Sequence, residues 1–271
     1  MGLRINTNVA ALNAGRILNR STSSLNQSLE RLASGLRING AADDAAGLAI
    51  AESFNSVVRG TSVAQRNAQD GVSLVQTAEG ALGETTAILQ RIRELAVQSA
   101  NGTNSTNNRA SLQTEVSQLL SQIDDIASNT DFNGIAVLSA AQTVTLQTGA
   151  QQGQTLLVAV QGAKTSDLGV NTVNISSITG AVAALSQVDT AIRSISTLRS
   201  NLGAFQNRLE FTINTLAIQA ENSTAAESSI RDANIATETI KFTRNQILVS
   251  AGTSVLAQAN LVPQTALTLL G

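Results

Sequence analysis

Residues 75–96, VQTAEGALGETTAILQRIRELA, place Val75, Leu82, Leu89 and Ala96 seven residues apart, with Ala78, Thr85 and Ile92 at heptad spacing between them. A seven-residue apolar repeat marks one stripe on a helix that packs lengthwise on other helices. Alanine and threonine within the stripe predict close, thin contacts. Continued from Gly71 to Ala100, such a helix is about 45 Å long at the standard rise, which suits a rod better than a globule.

The same spacing recurs on both sides. Leu25, Leu29, Leu32 and Leu36 step by four, three and four. Leu112, Val116, Leu119, Ile123 and Ile126 form a further run, and Leu185, Val188, Ile192 and Ile195 continue through Leu202, Leu209, Ile213 and Leu216. A last helix is expected over about 235–270, striped with Ile240, Ile247, Ala251 and Val255. The single proline, Pro263, leaves long uninterrupted helices permitted through most of the chain. Asn39-Gly40, Asn101-Gly102 and Asn133-Gly134 read as turns, because both residue types accept positive φ cheaply. Asp43 and Asp44 precede an alanine-rich run and are expected to cap a helix there. Ser and Asn crowd 101–108, a loop joining two antiparallel helices.

Residues 132–178 have a different texture. Ile135–Leu138, Val144–Leu146, Thr155–Val160 and Val173–Ile175 are short β-branched runs separated by Gly149, Gly153, Gly162 and Gly169, which predicts hairpins. The chain thus reads as mainly α: long antiparallel helices forming a coiled-coil rod with a small β-hairpin subregion. Only 2% of residues are aromatic, so Ala, Leu, Ile and Val must supply the burial, as in slender helix pairs.

Composition excludes several function classes. There is no histidine and no cysteine, so Ser–His and Cys–His nucleophile pairs and thiolate–imidazole zinc sites are unavailable. A net charge of −2 with no basic tract beside aromatics argues against nucleic acid and anionic membrane. No apolar run reaches the roughly 18 residues of a membrane span, and residues 1–18 lack the pattern of a secretory signal peptide. Asp43-Asp44 as an acid/base pair loses to simple capping. Asp124-Asp125 reads as a solvated face, since adjacent helical side chains diverge too far to clamp a metal. The glycines of 149–162 lack the Lys-Ser/Thr of a phosphate loop. No catalytic residue, metal site or cofactor is expected, and the chain is not expected to be an enzyme. Residues 3–36 and 235–270 carry apolar stripes that no short local fold can bury. Their natural partners are each other or other copies of the chain, with folding coupled to assembly.

The motifs now add up to a resemblance. Leu3-Arg4-Ile5-Asn6-Thr7-Asn8, Glu30-Arg31-Leu32-Ala33-Ser34-Gly35-Leu36-Arg37-Ile38-Asn39 and Asp43-Asp44-Ala45-Ala46-Gly47 are similar to the opening of bacterial flagellins. Arg66-Asn67-Ala68-Gln69-Asp70-Gly71 and Gln90-Arg91-Ile92-Arg93-Glu94-Leu95 follow in the family's order. Ala251-Gly252-Thr253-Ser254-Val255-Leu256-Ala257-Gln258-Ala259-Asn260 and Val262-Pro263-Gln264 resemble its C-terminus. The chain departs from many relatives at Ala42 and Leu261, and at its closing Leu269-Leu270-Gly271.

The resemblance implies flagellin-like inner and outer rod domains: an inner terminal-helix domain over 1–42 and 232–271, a helical outer rod domain over 43–131 and 179–231, and a short β-rich insert at 132–178. It implies a subunit that polymerises into the flagellar filament for swimming motility, extracellular and exported by the flagellar type III apparatus without a cleaved signal. Assembly would fall to Leu25, Leu29, Leu32, Leu36, Ile240, Ile247, Val255 and Leu256. The implied partners are other copies in a helical homopolymer, an export chaperone at the C-terminal helix, and the filament cap and hook-junction proteins. A host Toll-like receptor is a further one, contacted through Gln90, Arg91, Leu95 and Glu115. Two other roles stand beside this one: a hook–filament junction protein of the same family, and a surface adhesin or receptor ligand using 132–178.

Overall fold

The computed structural model describes residues 7–268, with side-chain environments through Leu261. The motif residues Leu3–Asn6 and the closing Leu269–Gly271 lie outside the described residues. Five helices dominate: α1 (Val9–Ser34), α2 (Ala45–Ala100), α3 (Thr106–Asn129), α4 (Ile178–Arg231) and α5 (Ile235–Thr268). Two antiparallel strand pairs interrupt them between α3 and α4. Strand β1 (Asp131–Phe132) pairs with β2 (Ile135–Ala136), and β3 (Gln142–Gln147) pairs with β4 (Thr155–Val160). The mainly α class with a small hairpin region is what the structure shows.

Local chemistry sets the helix ends. Asn8 caps α1, its side chain accepting from the Ala11 amide, and Gly35 ends it at φ 73°, a left-handed turn that a side chain would strain. Asp44 caps α2 by accepting from the Gly47 amide at 2.9 Å. Asp43 does something else. Its carboxylate gathers the Asn39 and Gly40 amides and the Gln27 side chain, fastening the turn that follows α1. Ser105 caps α3 at the Asn108 amide. Asn133 (φ 52°) and Gly134 (φ 77°) form the two-residue turn between β1 and β2, the left-handed pair that an Asn-Gly hairpin favours.

The chain folds as two compact units, Met1–Ser56 with Asn222–Gly271, and Val57–Glu221. The second holds the main core. Val75, Ala78, Leu82, Thr85, Leu89, Ile92 and Ala96 are each at most 1% exposed, as the quoted heptads require. Against them pack Val116, Ile123 and Ala127 of α3 and Ala181, Val188, Ile195, Leu202 and Leu209 of α4, again seven apart on the last helix. On β4, Leu156, Val158 and Val160 face inward while Leu157 is exposed, the alternation of a half-buried strand. Gly71 admits this layer closely: a Cβ there would run into the Leu146 side chain.

Val173–Ile175 is not a strand, contrary to the expectation from its β-branched residues. Val173 and Ile175 are buried, but their backbone is satisfied by a side chain: the Ile175 amide donates to Gln113 Oε1 at 2.6 Å, and Gln113 Nε2 donates to the Val173 carbonyl at 3.4 Å. Once a glutamine on α3 supplies both partners, no neighbouring strand is needed.

In the first unit α1 and α5 lie antiparallel. Asn8 Nδ2 donates to the Ala259 carbonyl at one end, and the Ala233 amide donates to the Gly35 carbonyl at the other. The pair buries little: Ile38 and Ala51 are the buried hydrophobic residues described in this unit, beside Ser28, Ser223 and Glu238.

Candidate assembly and recognition surfaces

The inner face of α5 is a strict heptad of Glu238, Phe242, Asn245, Val249, Gly252, Leu256 and Ala259, all buried or half-buried. It meets Ala11, Ala14, Leu18, Ser21, Leu25, Ser28 and Leu32 of α1, another strict heptad. Small residues let the two backbones approach: a Cβ added at Gly252 would lie 3.2 Å from Leu18 Cδ1. A polar anchor sits within the seam. Glu238 is 5% exposed, accepts from Lys241 Nζ at 3.0 Å, and is hydrogen-bonded by Ser28. Burial pushes its carboxyl up, but those two hydrogen bonds with the charges of Lys241 and Arg31 together hold it below the ordinary value.

Most of the apolar stripe expected of the last helix lies elsewhere. Ile240 and Ile247 are each 62% exposed and Val255 is 57% exposed, whereas Leu256 belongs to the inner seam. Of the leucines expected to assemble, Leu25 and Leu32 on α1 and Leu36 just after it are half-buried, but Leu29 is 52% exposed. Spacing alone merged two faces. The inner seam is half polar and small, so an apolar scan passes over it and finds the greasier outer face. Further exposed aliphatics are Ile235, Leu248 and Leu261 on α5 and Val9, Leu12 and Ile17 on α1. Isolated exposed aliphatics are ordinary, but their number on this one pair of helices makes it the candidate association site.

The second candidate surface is on α2 and α3. Gln90, Arg91 and Glu94 are exposed, as is Glu115. Arg91 joins the two helices, donating to Glu115 through Nε at 3.1 Å and Nη2 at 3.0 Å and to Glu94 at 3.1 Å, and these carboxylates raise its pKa further. Leu95 is not at this surface. It is 1% exposed and belongs to the core cluster, because it follows the buried Ile92 by three residues on the stripe that α2 turns inward.

The acidic pairs separate into distinct roles. Asp125 is exposed, as expected, but Asp124 is not simply solvated: it accepts from the Thr165 amide at 2.8 Å and from the Thr165 hydroxyl at 2.9 Å, tying α3 to the loop after β4. A partner 41 residues away leaves no trace in local spacing. Among the described residues there is no group of three or more acidic side chains placed to hold a metal ion.

A family model described as the bacterial flagellin N-terminal helical region matches residues 5–143, and one described as the bacterial flagellin C-terminal helical region matches residues 185–270. A flagellin of Bacillus subtilis is 44% identical over 305 residues, an alignment covering 99% of this chain and all of that one. The flagellar filament 33 kDa core protein of Treponema phagedenis is 44% identical over 283 residues, covering 98% and 99% of the two chains. The solved structure of a flagellar hook-associated protein from Vibrio parahaemolyticus covers 70% of this chain and 100% of its own at a TM-score of 0.60 and 12% identity, a likeness of fold alone.

Proposed function

The chain belongs to the bacterial flagellin family, and on that premise we propose how its surfaces divide the work of building a filament. Its function is structural: copies polymerise into the extracellular flagellar filament that drives swimming. The stabilisation that holds a subunit in such a polymer comes from apolar area removed from water between copies, at about 25 cal/mol per Å². The observation that carries the assignment is the exposed row Ile240, Ile247 and Val255 on a helix whose opposite face is already occupied by α1. Leu25, Leu32 and Leu256 hold the α1/α5 pair together, and the outer row with Leu29 meets neighbouring subunits. We take 1–42 with 232–271 as the assembly core, 43–131 with 179–231 as the outer rod, and 132–178 as its insert. The two compact units support a separation of terminal from central helices, though they divide at Ser56 and Asn222 rather than at these bounds.

The same outer row of α5 is the surface an export chaperone would shield before assembly, and passage through the type III apparatus suits a chain free of cysteine. Filament cap and hook-junction proteins would meet the subunit at the polymer's two ends. For a host Toll-like receptor the accessible contacts are Gln90, Arg91 and Glu115, with Leu95 acting from beneath as packing. Arg91→Ala should then reduce receptor signalling without altering polymerisation.

The assembly reading is tested by Ile247→Asp. Circular dichroism of the monomer should be unchanged, because the side chain is exposed, while polymerisation seeded with filament fragments should fall at least about tenfold, the cost of burying an unpaired carboxylate. Seeded growth at the wild-type rate would overturn it.

A further inference from the structure

Three Asn-Gly pairs occur in the chain, Asn39-Gly40, Asn101-Gly102 and Asn133-Gly134. The sequence treats them alike, as turns, but the fold places them in opposite electrostatic settings. The Gly40 amide donates to Asp43 Oδ2 at 3.3 Å, and the Gly134 amide donates to Asp131 Oδ2 at 3.1 Å. In both, an anion holds the N–H and opposes its loss as a proton. The Gly102 amide has no such acceptor among the described residues. Instead, the carbonyl of the same peptide, Asn101 O, accepts from Arg109 Nη2 at 2.9 Å, and Arg109 is only 7% exposed. A guanidinium on an amide oxygen stabilises the amidate that forms when the nitrogen is deprotonated. The side-chain carbonyl is also engaged: Asn101 Oδ1 accepts from the Thr103 amide at 3.2 Å. Asn101 and Gly102 are themselves exposed to water.

We propose that Asn101 is a site of spontaneous deamidation, promoted by the fold through Arg109 and the Thr103 amide, while Asn39 and Asn133 are protected. The Gly102 amide gives its proton to hydroxide. Its nitrogen attacks Asn101 Cγ, and the oxygen charge that develops on Oδ1 is met by the Thr103 N–H. The new N–Cγ bond forms, the Cγ–Nδ2 bond breaks, and ammonia leaves with a proton from water. The resulting succinimide takes up one water at either carbonyl, giving aspartate or isoaspartate. No oxidant, reductant or metal is needed. The product adds a carboxylate at the turn that Arg109 grips, so the charge of each subunit comes to record its age.

The test is peptide mapping by mass spectrometry of the full-length chain, with isoaspartate quantified, during incubation in mildly alkaline buffer with and without urea. In the folded chain Asn101 should convert faster than Asn39 or Asn133 by about tenfold or more, the rate factor of one charge-assisted hydrogen bond on a developing anion. In urea the three rates should draw together. Equal rates in the folded chain, or an Asn101 excess that persists in urea, would overturn the proposal. Arg109→Gln should slow conversion at Asn101 and leave Asn39 and Asn133 unchanged. If that variant proves folded by circular dichroism and keeps the wild-type rate at Asn101, the role of the guanidinium is refuted; if it does not fold, the comparison with and without urea decides.

Discussion

Arg109 shows how much a single side chain holds. It donates to the carbonyls of Ser99 at 2.9 Å, Asn104 at 2.6 Å and Asn101 at 2.9 Å. Those carbonyls sit at the C-terminal end of α2 and in the following loop, where helical partners have run out and a cation is electrostatically favoured. Arg109→Ala should destabilise the chain by about 2–4 kcal/mol, since acceptors are left without their donor in a half-buried site; urea unfolding measures it. Glu238 makes a prediction about pH. Its folded carboxyl lies below the ordinary 4.5, so its contribution to stability is complete above that value and is lost as pH falls through the depressed one. Amide protection in α1 and α5 should therefore decline in acid below the ordinary carboxylate range. Glu238→Gln should flatten that dependence, and an unchanged profile in the variant would remove Glu238 from the account.

At the scale of the element, the α1/α5 seam works by small residues in register. Gly252 faces Leu18, and an added Cβ would be 3.2 Å from Leu18 Cδ1, close enough that the leucine must give by a few tenths of an ångström. For Gly252→Ala this squeeze roughly offsets the gain in helix propensity of about 1 kcal/mol. Gly252→Leu has no such balance and should wedge the helices apart at a cost of about 1–3 kcal/mol, read as lost amide protection across the pair. The hairpins were legible element by element: β3 and β4 follow the alternation at Val144–Leu146 and Thr155–Val160, and Asn133-Gly134 closes a tight turn. The run at Val173–Ile175 misled, reading as a strand, because its partner is the Gln113 side chain some 60 residues before it.

For the whole molecule, the two compact units differ in how much they bury. Every member of the main hydrophobic cluster lies between Ala68 and Leu209, inside the unit Val57–Glu221. The terminal unit has a thin seam and an uncovered outer row. Local opening is cheapest where few apolar neighbours must separate. Hydrogen exchange on the monomer should thus show stronger protection through 57–221 than through 7–56 and 222–261, and polymerisation should raise protection chiefly in the terminal segments. Equal protection of both regions in the monomer would contradict folding coupled to assembly.

Residue order is enough to say that long helices form, where they break and which family the chain resembles. Helical periodicity, capping residues and turn pairs are written within a few residues of where they act. It also determined the inner faces of α2 and α4, where the heptads are apolar almost throughout. It took the folded chain to show that Leu95 is core and Arg91 surface, that Asp124 answers Thr165, and which of the two stripes of α5 faces α1. Those depend on partners tens to hundreds of residues away. On α5 the inner stripe is made of Glu238, Asn245 and Gly252 as much as of Phe242 and Leu256, so hydrophobicity alone points to the face that is left open.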